Sequence, residues 1–416
     1  MKVLKKLIYN LLVLIPVEIS HQIILRRIRK KGQVKVMFLA SNLSMWKYEK
    51  LIDKLSFDER FEISIILVPF LQYGEEERKH SLNQLAEYFD SRNLQYLNSD
   101  SDEFKNVDLI KRINPDMVFY QQPYAEMLEP KYDSSKNFHR LLCYFPYGLS
   151  TFDADWQYHL KFNNVAWKLY YSIPEQKIEA INRTYNDGRN MVVVGYSDFD
   201  KFSDPHVKNV WKYQSDNKKR IIWAPHFSIS PGLRLHRDSF LWMSSMMIDL
   251  AHKYEGKIQF AFKPHPNLLQ ELYNHPDWGR KKADEYYDEW RRMSNGQLDE
   301  GDFIDLFKTS DAMIHDCGSF TAEYHYTQKP VMFVCRCDKV EEENFSSLGR
   351  EAMSAHYIGN CREDIISFIE SVVLGGNDYL SEKRRLFFEK YLLPPGGNTM
   401  TENVYLDLMD SLKLTR

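Results

Sequence analysis

Three short segments of the chain put phosphate-binding side chains where the backbone is about to turn. The first is Phe262-Lys263-Pro264-His265-Pro266. Two prolines bracket His265 and restrict its backbone, so the imidazole is held rather than free to wander. A fixed histidine beside a lysine can donate to phosphate oxygens or protonate a leaving group. The second segment, SDAMIHDCGSFTAEYHYTQKPVMFV, runs from Ser310 to Val334. Its pattern predicts a strand over 312–314, a turn at Asp316-Cys317-Gly318, a helix from Ser319 to about Thr327 and a strand over 331–334. The hydroxyls of Ser319 and Thr321 at a helix start, with free backbone N–H groups, suit an anion. An ordinary helix cap uses the same residue types. Glu323, one turn into that helix, is placed to accept from ribose hydroxyls. The third segment is Trp223-Ala224-Pro225-His226-Phe227-Ser228, with Arg234, His236 and Arg237 further on. An anionic ligand would suit Lys263, His226 and His265 together.

Each segment follows a run of strand-forming residues, and the rest of the chain supplies the frame. Apolar, β-branched runs at 34–39, 61–68, 116–120 and 141–145 alternate with stretches of helical spacing such as 48–55 and 81–91. Alternation of that kind predicts parallel βαβ units. The pattern pauses after Val192-Val193-Val194-Gly195, and a polar stretch from Asp204 to Lys219 reads as a linker. It restarts with strands at 220–223, 258–262, 312–314 and 331–334. Two successive α/β sets predict two Rossmann-like domains facing a central cleft. In such sheets ligands lie beyond the carboxyl ends of the strands, which is where the three segments fall. The expected division is an N-terminal helix over 1–33, a first domain over 34–203, a second over 204–395 and a C-terminal helix over 396–416.

Length and composition suit that frame. A chain of 416 residues with 44% hydrophobic and 27% charged residues is long enough for two cores and has no disordered signature. A net charge of −3 gives no global field for nucleic acid. The 14% aromatic share predicts either stacking surfaces for a base or sugar, or simply aromatic-rich cores. Five cysteines, Cys143, Cys317, Cys335, Cys337 and Cys361, form no metal-binding spacing and no disulfide framework. They are expected to be reduced in a cytoplasmic protein. Leu7 to Ile19 is apolar but only about thirteen residues long, too short for the roughly 30 Å of a bilayer core. Lys2, Lys5 and Lys6 precede it, and a basic run from Arg26 to Lys31 follows in place of a small-residue cleavage site. Two placements follow: a basic, apolar helix lying on an anionic membrane surface, or a helix packed on the chain's own domain.

The segments also carry a resemblance. The order Gly195-Tyr196 to Asp200, then IIWAPHF, FKPHP and DCGSFTAEY with Lys329-Pro330-Val331-Met332-Phe333 behind it resembles the bacterial CDP-glycerol glycerophosphotransferase family, which includes teichoic acid primases and polymerases. It covers roughly Gly195 to Phe333. The histidine-proline and serine/threonine pair is similar to that of bacterial sialyltransferases and Kdo transferases as well. The resemblance implies an α/β fold of GT-B type, with the nucleotide donor in the C-terminal domain, and an enzyme working at the inner face of the membrane. It implies that His265 contacts the donor diphosphate, that Ser319, Phe320 and Thr321 hold phosphate, and that Glu323 faces the ribose. Lys263, His226 and Asp316 complete the expected donor-binding set. The family's acceptor-activating histidine has no counterpart: Tyr147 of Tyr144-Phe145-Pro146-Tyr147-Gly148 stands in its place. A tyrosine with an ordinary pKa of about 10 is a weak base, so Asp153 and Asp155 just beyond are alternatives. The resulting expectation is transfer of glycerol-phosphate, or a related polyol-phosphate, from a CDP-linked donor to a cell-surface glycan or lipid-linked precursor. The donor is a substrate; no cofactor and no metal are expected. A glycosyltransferase using a CMP- or UDP-sugar for capsule or lipopolysaccharide, and a non-catalytic nucleotide-binding subunit of the same fold, are the alternatives.

Overall fold

The computed structural model describes residues 2–153, 155–212, 217–229, 239–335 and 345–414. Arg234, His236, Arg237, Arg336 and Cys337 lie outside the described residues. The described chain forms two compact units, one comprising Met1–Leu149, Ala154–Asp200 and Leu392–Arg416, the other Ser150–Asp153 and Lys201–Tyr391.

The first unit is built on a parallel sheet of β1 (Val34–Ala40), β2 (Phe61–Leu67), β3 (Leu97–Asn98), β4 (Met117–Tyr120), β5 (Leu141–Tyr144), β6 (Lys168–Tyr171) and β7 (Met191–Val193). Their order across the sheet is β3-β2-β1-β4-β5-β6-β7. Both faces are covered, which is why β1 reads as an apolar run from Val36 to Ala40. Val36, Phe38 and Ala40 enter one core, while Met37 and Leu39 enter the other. The second unit repeats the plan with β8 (Lys219–Ala224), β9 (Ile258–Phe262), β10 (Gly296–Leu298), β11 (Ala312–His315), β12 (Val331–Val334) and β13 (Tyr357–Gly359). Here the order is β10-β9-β8-β11-β12-β13, again all parallel. The runs that predicted strands all form them. The strands β3, β6, β10 and β13, two to four residues long, are too short to stand out in the pattern. In both sheets the strand order reverses once, between β1 and β4 and between β8 and β11. That is the switch point at which doubly wound sheets open a crevice.

Much of the aromatic share goes into cores. Trp223 is fully buried and stacks on Phe240 and Phe262, with Tyr286 and Trp290 completing the cluster.

The last helix, Met400–Leu412, belongs to the first unit, where Val404, Leu408 and Leu412 enter its core. Asp200 ties the helix down by accepting from the N–H groups of Met400 at 2.8 Å and Thr401 at 2.9 Å. Gly195 adopts φ +99° and lies so close to Pro394 that a Cβ would come within 2.7 Å of it. The Gly195-to-Asp200 motif is therefore the latch for the chain's return to the first unit.

At the other end of the sequence, helix runs over Lys2–Tyr9, passes through a π turn at Asn10–Leu14, and continues over Ile15–Lys31. Pro16 sits in the first turn after the π segment, where its missing N–H costs little. Gly32 ends the helix in the left-handed conformation at φ 69°. The thirteen-residue estimate for the apolar segment is corrected by this continuity. From Leu4 to Lys31 the helix is long and apolar enough to cross a bilayer, judged by length and composition alone.

Candidate functional site

The carboxyl ends of β8, β9 and β11 bring together much of the second unit's sequence-predicted site. The chain leaving β8 through Pro225 and the chain leaving β9 through Pro264 are joined where the His265 N–H donates to the Pro225 carbonyl at 3.1 Å. This sets the rings of His226 and His265 at 5.1 Å between centroids, nearly edge to face. Phe227 packs at 4.5 Å against each of them.

Each imidazole is oriented through Nδ1, and His226 Nδ1 also lies 2.7 Å from the Ser228 hydroxyl. The Asn267 N–H donates to His265 Nδ1 at 3.2 Å, and the Ser228 N–H donates to His226 Nδ1 at 3.3 Å. A ring nitrogen that accepts from a backbone N–H carries no proton of its own, so the neutral ring holds its proton on Nε2. Burial pushes the pKa of His265 down to about 4. At neutral pH His265 is therefore an uncharged donor through Nε2–H.

Asp316 is buried and works on the backbone. It accepts from the His226 N–H at 2.6 Å and from the Ser239 hydroxyl, and so fixes the loop that carries His226. Lys263 is also buried, with its ammonium on Asp299 at 2.9 Å and on the Gly301 carbonyl at 2.7 Å. At least two of its three donors are thus engaged within the fold.

The Asp316-to-Glu323 run divides between surface and interior. Ser319 is exposed, and its side chain makes no cap hydrogen bond. The expected cap is corrected here, because the backbone at Ser319 is already helical at φ −64° and ψ −40° and so lacks the extended geometry of a capping residue. Thr321 is fully buried and its hydroxyl donates to the Cys317 carbonyl at 3.0 Å. Phe320 packs on Phe303 and Phe307, and Glu323 is buried at 3% exposure. The predicted helix is an α-helical stretch of four residues, Phe320–Glu323, followed by a 3₁₀ turn, Tyr324–Thr327. Lys329 of the following Lys-Pro pair donates to the carbonyls of Lys308, at 2.7 Å, and Ser310. Several of the motif's polar residues are thus structural members of the turn.

Residues that sequence reasoning missed complete this turn. Thr151 Oγ1 donates to the Gly318 carbonyl at 2.7 Å, and the Thr151 carbonyl accepts from the Ser346 N–H at 2.9 Å. Phe152 stacks on Phe345 at 4.9 Å between centroids. A Cβ at Gly318 would meet Phe152 at 2.7 Å, and one at Gly349 would collide with the Thr151 carbonyl. Partners so distant in sequence leave no local signal; the glycines were visible but their reason was not.

The candidates for acceptor activation fall in different units. Asp153 follows Phe152 in the second unit and is partly buried. Tyr147 is in the first unit, 38% exposed. Its neighbour Tyr124 stacks on Trp156 at 5.7 Å, and burial, then Tyr147 itself, raise the Tyr124 pKa. Asp155, also in the first unit, pairs with His159 at 3.2 Å and Arg183 at 3.4 Å on the surface.

No family model matches the sequence, and no curated protein matches it. Among solved structures, a putative UDP-N-acetylglucosamine 2-epimerase from Listeria monocytogenes is similar at a TM-score of 0.58 and 16% identity, over 92% of this chain and 98% of that one. UDP-GlcNAc 2-epimerase from Neisseria meningitidis, bound to UDP-GlcNAc, is similar at 0.54 and 13%, over 92% of this chain and 100% of that one. The wall teichoic acid polymerase TagF is similar at 0.56 and 11%, over 99% of this chain and 97% of that one. The fold is α/β of GT-B type.

Proposed function

We infer that the protein is a cytoplasmic transferase that moves glycerol-phosphate, or a related polyol-phosphate, from a CDP-linked donor to a cell-surface glycan or its lipid-linked precursor. The observation that carries this reading is the pair His226 and His265 at the switch point of the second unit. His265 accepts the Asn267 N–H on Nδ1, so its neutral ring carries the proton on Nε2, and the His226 ring lies edge-on to it at 5.1 Å. A preoriented Nε2–H donor beyond a strand end, beside a second imidazole, suits the oxygens of a diphosphate. The order of motifs along the chain, and a fold shared with a wall teichoic acid polymerase, support the same class of donor.

In this reading the acceptor oxygen attacks the phosphorus that bears the polyol. A new phosphodiester bond forms as the bond to the CMP oxygen breaks, and CMP leaves with its electron pair. His265 and His226 donate to the oxygens on which charge develops. The acceptor proton passes to a base, for which Tyr147 and Asp153 are the candidates. Ser319, exposed beside the turn, meets a donor phosphate in this reading. Thr321, Phe320, Glu323, Asp316 and Lys263 act by holding the turn and the two histidine loops.

The test is release of CMP from CDP-glycerol by the purified protein with a glycan or lipid-linked acceptor, repeated with His265→Ala. The variant is expected to lose at least about a hundredfold in rate. An unaffected rate refutes the assignment. A second reading has support of its own, because the fold is also shared with epimerases, one of them bound to UDP-GlcNAc. A UDP- or CMP-sugar would then be the donor. Ligand-induced shifts in melting temperature separate the two, since the cognate nucleotide stabilises the folded state by mass action.

A further inference from the structure

The N-terminal helix shows two different faces. On one, Val17, Ile24, Leu25 and Ile28 are buried against the first unit. The other is a ridge of Leu4, Leu7, Leu11, Ile15, Ile19 and Ile23, each between 47% and 61% exposed. These positions recur at three or four residues and so share a face. The π turn at Asn10–Leu14, wider than an α turn, takes up the drift that repeated spacings of four would accumulate. Arg26 and Lys30 continue the ridge from Ile23 at the same spacing. Both are exposed, and no ion pair among the described residues engages them. Lys5 is exposed at the other end. Glu18 is the one acidic residue from Leu4 to Lys31, against seven lysines and arginines.

We propose that this ridge docks the protein on an anionic lipid bilayer, with the helix lying in the plane of the membrane surface rather than crossing it. Two features exclude the crossing arrangement. Near its start the helix is held to the first unit by Tyr9 stacking on Tyr185 at 4.4 Å and by the Lys6–Asp187 ion pair. Near its end it is held by the Arg27–Asp116 ion pair and by Arg29, which donates to the carbonyls of Leu412 at 3.0 Å and Ser411 at 3.1 Å. A helix fastened along its length to a polar, folded unit cannot enter the hydrocarbon end-on without breaking these contacts. Lying flat, it buries the leucine and isoleucine ridge at the headgroup boundary and sets Arg26 and Lys30 against lipid phosphates. This attachment does not depend on the identity of the donor.

The experiment is co-sedimentation of the full chain with vesicles of phosphatidylcholine, with and without phosphatidylglycerol. Binding is expected with phosphatidylglycerol and to weaken as salt rises. Leu11→Glu combined with Ile15→Glu changes two exposed side chains of the ridge, so the melting temperature stays put while binding falls at least about tenfold. Removing one cation by Lys30→Ala should cost about fivefold on the anionic vesicles. Three outcomes overturn the proposal. One is binding that ignores the double substitution. Another is a lipid-free dimer that the same substitution dissolves, which would give the ridge to a second copy. The last is a chain that stays with the vesicles through an alkaline carbonate wash, which would mark a spanning helix.

Discussion

At the scale of single residues, the structure separates side chains that reach the surface at the strand ends from those that build the turn beneath them. His265 has distinguishable duties at its two nitrogens. Asparagine can keep an acceptor near the position of Nδ1 but has nothing at Nε2. His265→Asn is therefore expected to melt within a few degrees of the parent while CMP release falls about a hundredfold or more. His265→Gln has the opposite reach and should lose the Asn267 contact, with a loss of about 1 kcal/mol in stability by urea denaturation. The two hydroxyls of the Ser319 turn are predicted to behave differently. Thr321→Val removes the hydroxyl from the buried Cys317 carbonyl, which keeps its contact with His315 Nδ1 at 3.2 Å, and should cost about 1 kcal/mol of stability, with little change in donor affinity. Ser319→Ala should leave stability alone and raise the KM for the donor. The sequence put both hydroxyls at one phosphate, because type and spacing do not reveal which way a side chain turns.

At the scale of elements, the strands and the motifs at their ends were legible because each is a local pattern: an apolar run, then proline or glycine, then polar groups. The identity of each motif's partner was not. The Gly195-to-Asp200 segment entered the sequence reading only as part of the family resemblance, and in the structure it anchors the last helix. Asp200→Ala should therefore free two N–H groups of that helix and cost about 1–2 kcal/mol. Hydrogen exchange should rise over Met400–Leu412 and stay unchanged in the second unit; uniform exchange would contradict the anchoring role. The segment Ser150–Asp153 was equally opaque. It contributes a threonine and a phenylalanine to a turn more than 160 residues away in sequence, and nothing near it says so.

At the scale of the whole molecule, buried histidines make folding sensitive to acid. His315, His356 and His325 form a buried chain in the second unit, with contacts of 3.2 and 3.3 Å between rings. Burial, then His356 and the fully buried Arg384, push His325 well down. Burial, with Arg384 adding to it, brings His356 to about 4, and burial brings His265 to about 4. The unfolded chain takes up protons at His265 and His356 below pH ~6.5, while the folded chain does not until near pH ~4. Folding therefore binds fewer protons in that window, and stability falls as pH falls. Each histidine contributes up to about 1.4 kcal/mol per pH unit, so His265 and His356 together approach about 2.5 kcal/mol per unit near pH ~5, and His325 adds in the same direction. Melting curves at intervals between neutral pH and pH ~5 check this, and a flat profile would refute it.

The sequence by itself determined the alternation of strands and helices, the doubling of that alternation, and the strand-end positions of His226, His265 and Ser319. These follow from hydrophobic period and turn residues, which act over a few positions. Only the tertiary structure decided that Lys263, Asp316 and Thr321 are committed to the fold, that the last helix returns to the first unit, and that one face of the N-terminal helix is buried while the other is bare. Those outcomes depend on which distant donor or acceptor reaches a buried group first, and a buried polar group must be satisfied wherever in the chain its partner lies.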